Sequence, residues 1–341
     1  MNSFRHYSIA GALLILLAGP RIAAQQNSPF PSTTEMVGRI DTNRTVTPVN
    51  QVLTPYGRQV DLPGLRPQAI ALSPDGKLLV TSGKTSEIII IDPVTGVIRQ
   101  RVALPSEKAE PNPQVASPNI LEPDKKGQLS FTGLIFSPDG SRIYLANVNG
   151  SVKVFSVGKD GQVTPAFSIA IPAANAPRRK EEIPAGLALS RDGQRLYVAL
   201  NLSNRLGEFD ALNGKLLRSF DVGVAPYDVA VVGSKIYVSN WGGRRPQRGD
   251  LTGPAGRGTE VRVDPVHFVA SEGSVTVIDL RTGQILREIL TALHASALAV
   301  HPNQRYVICA NAASDNLSVI DTRNDEIIET IWVKQSPADL F

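Results

Sequence analysis

The chain has 341 residues, of which 19% are charged, and it contains 28 glycines and 25 prolines. This length exceeds one ordinary hydrophobic core but suits an architecture that grows by repetition, and the frequent Gly and Pro predict many turns. The 35 basic and 31 acidic residues give a formal charge of +4. The sequence contains no strongly basic face, which argues against a nucleic-acid partner.

The first 24 residues are predicted to form a signal peptide. Arg5 and His6 form a short positive region, and residues 8–18 (SIAGALLILLA) form an apolar stretch that is too short to span a bilayer. Residues 22–24 (IAA) offer a small-residue cleavage site. We therefore expect a periplasmic or secreted protein with no membrane span after signal removal. An uncleaved membrane anchor is the alternative.

Residues 25–56 are rich in Pro, Thr, Asn and Gln and show no clear periodicity, which predicts an N-terminal tail that is ordered at most in part. The next segment, residues 57–62 (GRQVDL), resembles a stray last strand. We assign it to the repeat domain, which is predicted to cover residues 57–341.

Internal repetition determines the predicted fold. Five segments align without gaps, each between two short apolar runs: SPDGKLLVTSG (73–83), SPDGSRIYLAN (137–147), SRDGQRLYVAL (190–200), AVVGSKIYVSN (230–240) and HPNQRYVICAN (301–311). Period-two alternation and Gly-containing turns predict four short antiparallel strands in each repeat of about forty residues. The predicted fold class is all-β, a β-propeller of four-stranded blades; a β-sandwich is the alternative.

The blades are predicted at about residues 65–104, 131–172, 183–223, 225–290 and 294–333. Residues 336–341 (SPADLF) align with the opening of the fourth repeat, APYDVA, and are predicted to start a sixth blade. We therefore expect five complete repeats, the start of another, and an incomplete propeller. The tyrosines at positions 144, 197 and 237 share one repeat position and are expected to pack between blades.

Three insertions interrupt the repeats, at residues 105–130, 172–183 and 241–273. Strand direction alternates through a blade, so all three insertions are predicted to lie on one face, and the short SPDG and DxxTG turns on the other. Functional residues are commonly carried by loops on a rigid scaffold, which indicates that this loop face is the functional one. Tolerated surface insertions are the alternative.

The third insertion supplies the candidate ligand-binding residues. Trp241, Arg244, Arg245 and Arg248 lie close together in WGGRRPQRG, and a planar guanidinium fork suits a phosphate or carboxylate group. The alternative is a loop held by internal ion pairs, since the insertion contains nearly equal numbers of basic and acidic side chains, five arginines and four carboxylates.

Recognisable catalytic chemistry is missing from the sequence. It contains no HExxH, CxxC, GxSxG or GxxxxGK motif, and its four histidines have no metal-ligand spacing. We therefore predict no catalytic residue, no metal site and no cofactor. The single cysteine, Cys309, lies at a repeat position occupied by Leu and Val elsewhere and is expected to be a buried, inert thiol.

The strand segments IYLAN and IYVSN resemble the YVTN-type β-propeller family over roughly residues 65–341. The stretches PDKKGQLSFTGLIFSPDG, ALNLSNRLGEFD, FDVGVAPYDVAV and YVSNWGGRRPQRGDLTGP resemble the propeller part of bacterial proteins that join it to an alkaline-phosphatase-superfamily phosphoesterase. The resemblance implies a propeller that is usually seven-bladed and a C-terminal partner domain that holds the catalytic metal ligands. None of that domain is recognised here, so the resemblance carries no hydrolase activity to any residue of this chain.

The leading hypothesis is therefore a non-catalytic exported β-propeller module that presents its loop face to a ligand or a partner domain. One alternative is the propeller part of a phosphoesterase whose catalytic domain is absent. The other is a lactonase-like propeller enzyme with a central site on the same face.

Overall fold

The computed structural model describes residues 36–41, 43–48, 51–108, 123–174 and 176–333. The chain divides into two compact units, Met1–Gln59 and Val60–Phe341. The predicted signal peptide at residues 1–24 and the predicted start of a further blade at residues 336–341 lie outside the described residues. No helix within the described ranges is long and apolar enough to cross a membrane.

The first unit contains a small antiparallel sheet in the order β1-β2-β3, formed by β1 (Gly38–Asp41), β2 (Arg44–Val46) and β3 (Val52–Leu53). It lies inside the segment predicted to be a tail. The predicted strand at residues 57–62 is wrong, because these residues form no strand. An extended segment becomes a strand only when a neighbour pairs with its backbone groups, which the sequence pattern alone does not reveal.

The described part of the second unit contains five four-stranded antiparallel sheets, which confirms the predicted all-β fold of four-stranded blades. Blade 1 consists of β4 (Pro67–Leu72), β5 (Leu79–Gly83), β6 (Glu87–Ile91) and β7 (Ile98–Ala103). Blade 2 consists of β8 (Leu129–Phe136), β9 (Arg142–Asn147), β10 (Ser151–Val157) and β11 (Val163–Ala170). Blade 3 consists of β12 (Pro184–Leu189), β13 (Arg195–Leu200), β14 (Arg205–Asp210) and β15 (Leu216–Asp221). Blade 4 consists of β16 (Pro226–Val232), β17 (Lys235–Asn240), β20 (Gly273–Asp279) and β21 (Ile285–Thr291). Blade 5 consists of β22 (Ala295–Val300), β23 (Tyr306–Asn311), β24 (Asn316–Asp321) and β25 (Glu326–Trp332). The third insertion adds a hairpin of β18 (Thr252–Pro254) and β19 (Glu260–Arg262) around a single 3₁₀ turn.

The short turns are built by aspartates, as the sequence predicts. In the turn after β6, the Asp92 carboxylate accepts hydrogen bonds from the backbone N–H groups of Val94 and Thr95, at 2.9 and 2.8 Å. Gly96 then takes a left-handed conformation, with φ of 74°. In blade 5 the equivalent left-handed residue is Asp325, with φ of 58°, and its carboxylate accepts hydrogen bonds from Tyr237 and Lys235 of blade 4.

The hydrophobic core lies between blades. Four buried clusters each combine side chains of two successive blades, so each blade packs on the next one along the chain. Tyr144, Tyr197 and Tyr237 are all buried in these clusters, which confirms that this repeat position packs between blades. The first strands β4, β8, β12, β16 and β22 are neighbours in that order and form the inner wall of the arrangement.

Hydrogen bonds between blades run in both directions along the chain, and the following three have their donor in the earlier blade. The Tyr144 hydroxyl of blade 2 donates to the Ala211 carbonyl oxygen at 3.2 Å. The Arg218 guanidinium of blade 3 donates to the Leu280 carbonyl oxygen of blade 4 at 2.8 Å. The Lys235 ammonium of blade 4 donates to the Asp325 carboxylate of blade 5 at 2.7 Å. Each interface therefore combines apolar packing with a directional polar contact.

The far flank of blade 5 is exposed and apolar. Ile308 occupies the repeat position of the three buried tyrosines but is only half-buried. On the outer strand β25, Ile328 is 52% exposed and Trp332 is 69% exposed. At the position of Ile308, blade 5 therefore leaves partly exposed a site that blades 2 to 4 bury against a neighbour.

Candidate functional site

The loop face is the side on which the insertions meet. The Arg178 N–H of the second insertion donates to the Arg257 carbonyl oxygen of the third at 3.1 Å. Gln128 of the first insertion and Ile183 of the second line one cavity together with Lys84 and Val148, which follow the second strands of blades 1 and 2. These contacts agree with the prediction from strand parity that the insertions share a face.

The third insertion folds around its own small core. Val261, Val263 and Ala270 are buried together with Val224, which ends the connection from blade 3. Trp241 stacks on His294, with ring centroids 3.7 Å apart and an interplanar angle of 11°. The two rings border a cavity of about 350 Å³ that is lined mainly by apolar side chains of the insertion. Burial lowers the pKa of His294, which favours the neutral imidazole in this stack.

Arg244 is held by an ion pair inside the insertion. Its Nε and Nη2 atoms donate to the two carboxylate oxygens of Glu272 at 2.9 and 2.8 Å, and its backbone N–H donates to the same carboxylate at 3.0 Å. Burial raises the pKa of Glu272, but the hydrogen bonds and charge of Arg244 outweigh burial and hold the pKa below its usual value. The guanidinium fork is therefore already occupied by a carboxylate of this chain.

The other two predicted arginines have different environments. Arg245 donates to the carbonyl oxygen of Val222 at 2.6 Å, to that of Asn204, and to the Asp221 carboxylate at 3.1 Å. Arg248 is exposed. Trp241 lies in the separate aromatic stack, and none of the three arginines lines the cavity beside it. The geometry matches the alternative of a loop held by internal ion pairs.

Replacing Arg244 with methionine is expected to loosen the third insertion. The substitution keeps much of the aliphatic stem but leaves the Glu272 carboxylate without its bidentate partner. We expect limited proteolysis to cut residues 244–273 faster in Arg244→Met than in the wild type. The matched control is Arg248→Met, because Arg248 is exposed, and it is expected to leave the cleavage rate unchanged. Equal cleavage rates for the two variants would contradict this role for the ion pair.

Another cavity of the loop face lies at the inner strands. It measures about 610 Å³ and opens between the N-terminal ends of the inner strands of blades 1, 2 and 4. We call it the mouth. Its lining residues are Gln68, Lys84, Gln128, Leu129, Ser130, Phe131, Thr132, Val148, Ile183 and Tyr227. A volume of this size is typical of small-molecule sites.

A bulge in β8 shapes the wall of the mouth. Between the pairs Leu129↔Asn147 and Leu134↔Leu145, the inner strand β8 contains residues 130–133. The equivalent stretch of β16 contains only residues 227–228, so β8 carries two extra residues. Such bulges redirect side chains and are over-represented beside active sites.

The bulge is both strained and incompletely bonded. Phe131 adopts a left-handed backbone with φ of 52°, which is costly for an aromatic residue. The hydroxyl oxygen of its neighbour Thr132 is buried and has no hydrogen-bond partner. At Gly133, a Cβ atom would lie 2.2 Å from the Ala185 carbonyl oxygen, so the close approach of β8 to β12 requires glycine. Strain and an unsatisfied buried group in one short segment are typical of functional sites.

Two aromatic rings from different blades meet at the mouth. Phe131 and Tyr227 pack edge to face with centroids 5.3 Å apart. Burial, with a smaller contribution from the Asp228 charge, raises the pKa of Tyr227, so its hydroxyl stays protonated at neutral pH. The carboxylate of Asp228 has a structural role, since it accepts hydrogen bonds from the backbone N–H groups of Leu298 and Val229 at 2.8 and 2.9 Å.

Sequence analysis missed the mouth. Gln68, Phe131 and Tyr227 come from three blades and belong to no motif. The only local signal is the longer stretch LSFTGLIF before the second SPDG turn, which is two residues longer than its counterparts once the strand pairing is known.

A buried lysine of blade 2 forms ion pairs with residues at the beginning and at the end of the first insertion. Lys153 is fully buried, and its ammonium lies 2.9 Å from a Glu107 carboxylate oxygen and 3.2 Å from one of Asp124. It also donates to the Pro105 carbonyl oxygen at 2.8 Å and to the Ser168 hydroxyl at 3.2 Å. The insertion is therefore held on the loop face by a buried charged group.

Cys309 is fully buried and free, and burial raises the pKa of its thiol to about 12. This confirms the expected buried thiol and keeps it protonated and unreactive at neutral pH. In the ranges that the structure describes, no group of three or more His, Cys, Asp or Glu side chains could hold a metal ion.

No protein-family model matches the chain, and no curated protein matches its sequence. Solved structures match its shape. Kuenenia stuttgartiensis hydrazine synthase aligns with a TM-score of 0.51 and 18% identity over 78% of this chain and 66% of that chain. U3-55K aligns with a TM-score of 0.55 and 9% identity over 80% of this chain and 66% of its own. The fold is a β-propeller. At these identities the likeness shows the propeller fold alone.

Proposed function

We propose that this β-propeller is a non-catalytic binding module whose ligand enters the mouth on the loop face. The observation that carries the proposal is the β8 bulge, where the strained Phe131 and the unsatisfied Thr132 shape the wall of a cavity of about 610 Å³. Structures retain strained and unsatisfied groups chiefly where function requires them. The polar lining groups are amides, hydroxyls and one amine, which suit recognition by hydrogen bonding.

Soaking crystals of the protein in a library of small polar and aromatic fragments tests this proposal. We expect fragments to cluster in the mouth, against Phe131 and Tyr227. The control is the double variant Phe131→Gly, Tyr227→Leu, which removes both rings and permits the left-handed backbone at position 131, and it is expected to lose this cluster. Fragments that cluster in the cavity beside Trp241 and leave the mouth empty would refute the proposal.

A second candidate function is docking of a partner domain onto the loop face, such as the C-terminal phosphoesterase that the family resemblance implies. Exposed apolar side chains on the third insertion favour it, since Val266 is 73% exposed and Phe268 is 66% exposed. The test is calorimetric titration of a separately produced phosphoesterase domain with the wild type and with Phe268→Ser. Equal affinity of the two proteins, or no binding to the wild type, would eliminate this candidate.

We also propose that the protein is exported to the periplasm or secreted. The support is the pattern of residues 1–24, a short basic region followed by an apolar stretch and small residues. N-terminal sequencing of the protein recovered from the periplasm or the medium should give a chain that begins at Gln25. An intact Met1 on membrane-bound protein would indicate an uncleaved anchor instead.

A further inference from the structure

We propose that the mouth binds a small anionic polyol, that is, a sugar that carries a carboxylate or phosphate group. This inference rests on the proposed function and names its ligand class. It is argued from the charge, the polar groups and the aromatic surface of the lining.

The charge at the mouth is positive. Lys84 is the charged residue of the lining, and its side chain is exposed and has no carboxylate partner among the described residues. A second cation contacts the lining, because the Arg179 guanidinium donates to the carbonyl oxygen of the lining residue Val148 at 2.5 Å and to that of Glu181 at 3.0 Å. Both of these hydrogen-bond partners of Arg179 are neutral carbonyl groups. A bound anion would therefore meet cations that no carboxylate of the described chain neutralises, whereas a cationic ligand would be repelled.

The polar groups of the mouth suit hydroxyl groups. Gln68 and Gln128 each contribute a side-chain amide, which offers donors and an acceptor on one planar group. The side-chain amides of both residues and the Tyr227 hydroxyl have no hydrogen-bond partner among the described residues, so they are available to a ligand. A sugar hydroxyl both donates and accepts, and it can bond to either end of an amide.

The aromatic surface supplies the third element. The rings of Phe131 and Tyr227 both line the mouth and offer apolar surface against which the C–H face of a pyranose ring can pack. The volume of about 610 Å³ accommodates a monosaccharide together with its charged group and bound water.

The test is isothermal titration of the protein with three probes: glucuronate, glucose 6-phosphate and neutral glucose. We expect at least one anionic sugar to bind at least about tenfold more tightly than glucose, and that advantage to shrink at ~0.5 M salt. The two anions distinguish a carboxylate ligand from a phosphate ligand. Equal affinity for glucose and both anions would overturn the inference.

The variant Lys84→Gln should weaken binding of the anions about tenfold and leave the affinity for glucose unchanged. The matched control is Lys77→Gln, since Lys77 lies in an SPDG turn on the opposite face and pairs there with Asp75 at 3.2 Å. An unchanged anion affinity in Lys84→Gln would overturn the role of this cation. If fragments occupy the mouth but no sugar binds, the ligand class is wrong and the proposed function stands; if neither binds, both fail.

Discussion

Replacing Thr132 with valine is expected to stabilise the protein, by about 1 to 2 kcal/mol in the free energy of unfolding. The Thr132 hydroxyl is buried and lacks a partner, so the folded state loses its hydration without gaining a hydrogen bond. Valine has nearly the same shape and removes that polar atom. The measurement is chemical denaturation of the wild type and the variant under identical conditions.

The matched control is Thr81→Val in blade 1. Thr81 is also buried, but its hydroxyl donates to the Ala69 carbonyl oxygen at 2.8 Å. The same substitution there removes a hydrogen bond that exists, and we expect it to destabilise the protein by about 1 kcal/mol. A loss of stability in both variants would show that the Thr132 hydroxyl forms a hydrogen bond in solution. The backbone strain at Phe131 would then be the remaining observation at the bulge that points to a functional site.

Replacing Lys153 with methionine is expected to cost about 3 kcal/mol of stability at neutral pH. The substitution keeps a side chain of similar length in a fully buried position but leaves the mostly buried Asp124 carboxylate without its cation. The partly exposed Glu107 can turn towards water and contributes less. The matched control is Lys77→Met, whose ion pair with Asp75 is exposed and is expected to contribute less than about 1 kcal/mol.

The cost of Lys153→Met should depend on pH. Burial raises the pKa of Asp124, but the Lys153 charge and the hydrogen bond with Glu107 outweigh burial and lower the pKa below its usual value. A carboxyl whose pKa is lower in the folded state stabilises the protein above its unfolded pKa of about 3.9, and this contribution is lost as pH falls through the folded pKa. The difference between wild type and variant should therefore be largest at neutral pH and shrink towards pH ~3. A difference that is independent of pH would contradict the assignment of this cost to Asp124.

The fold could be predicted because its signals are local and repeated. The SPDG and DxxTG turns follow from the hydrogen bonds of single aspartates, such as Asp92, to backbone groups two or three residues away. Strand parity within a blade then placed the insertions on one face without knowledge of any contact. The prediction failed at residues 57–62, where strand formation depends on a partner that no local pattern specifies.

The functional site was harder to predict because its residues converge only in the folded chain. Arginines 244, 245 and 248 stood out in the sequence, but recognising that Glu272 and the Val222 carbonyl oxygen occupy two of them requires the structure. Phe131 and Tyr227 are 96 positions apart in the numbering, 227 minus 131, and they meet because inner strands of separate blades surround one opening. The backbone strain at Phe131 arises from the strand pairing of a bulge, which composition does not encode.

The hydrogen bonds between successive blades have a consequence for how the protein matures. A chain that leaves a ribosome or a translocation channel N-terminus first exposes Tyr144 before its acceptor at Ala211 has emerged, and Lys235 before Asp325. At a synthesis rate of ~5–20 residues per second, one repeat follows the previous one within seconds, and during that interval the newest blade has an uncovered apolar flank. Assembly should therefore proceed as an ordered addition of blades, and chaperones should bind the newest flank at each step.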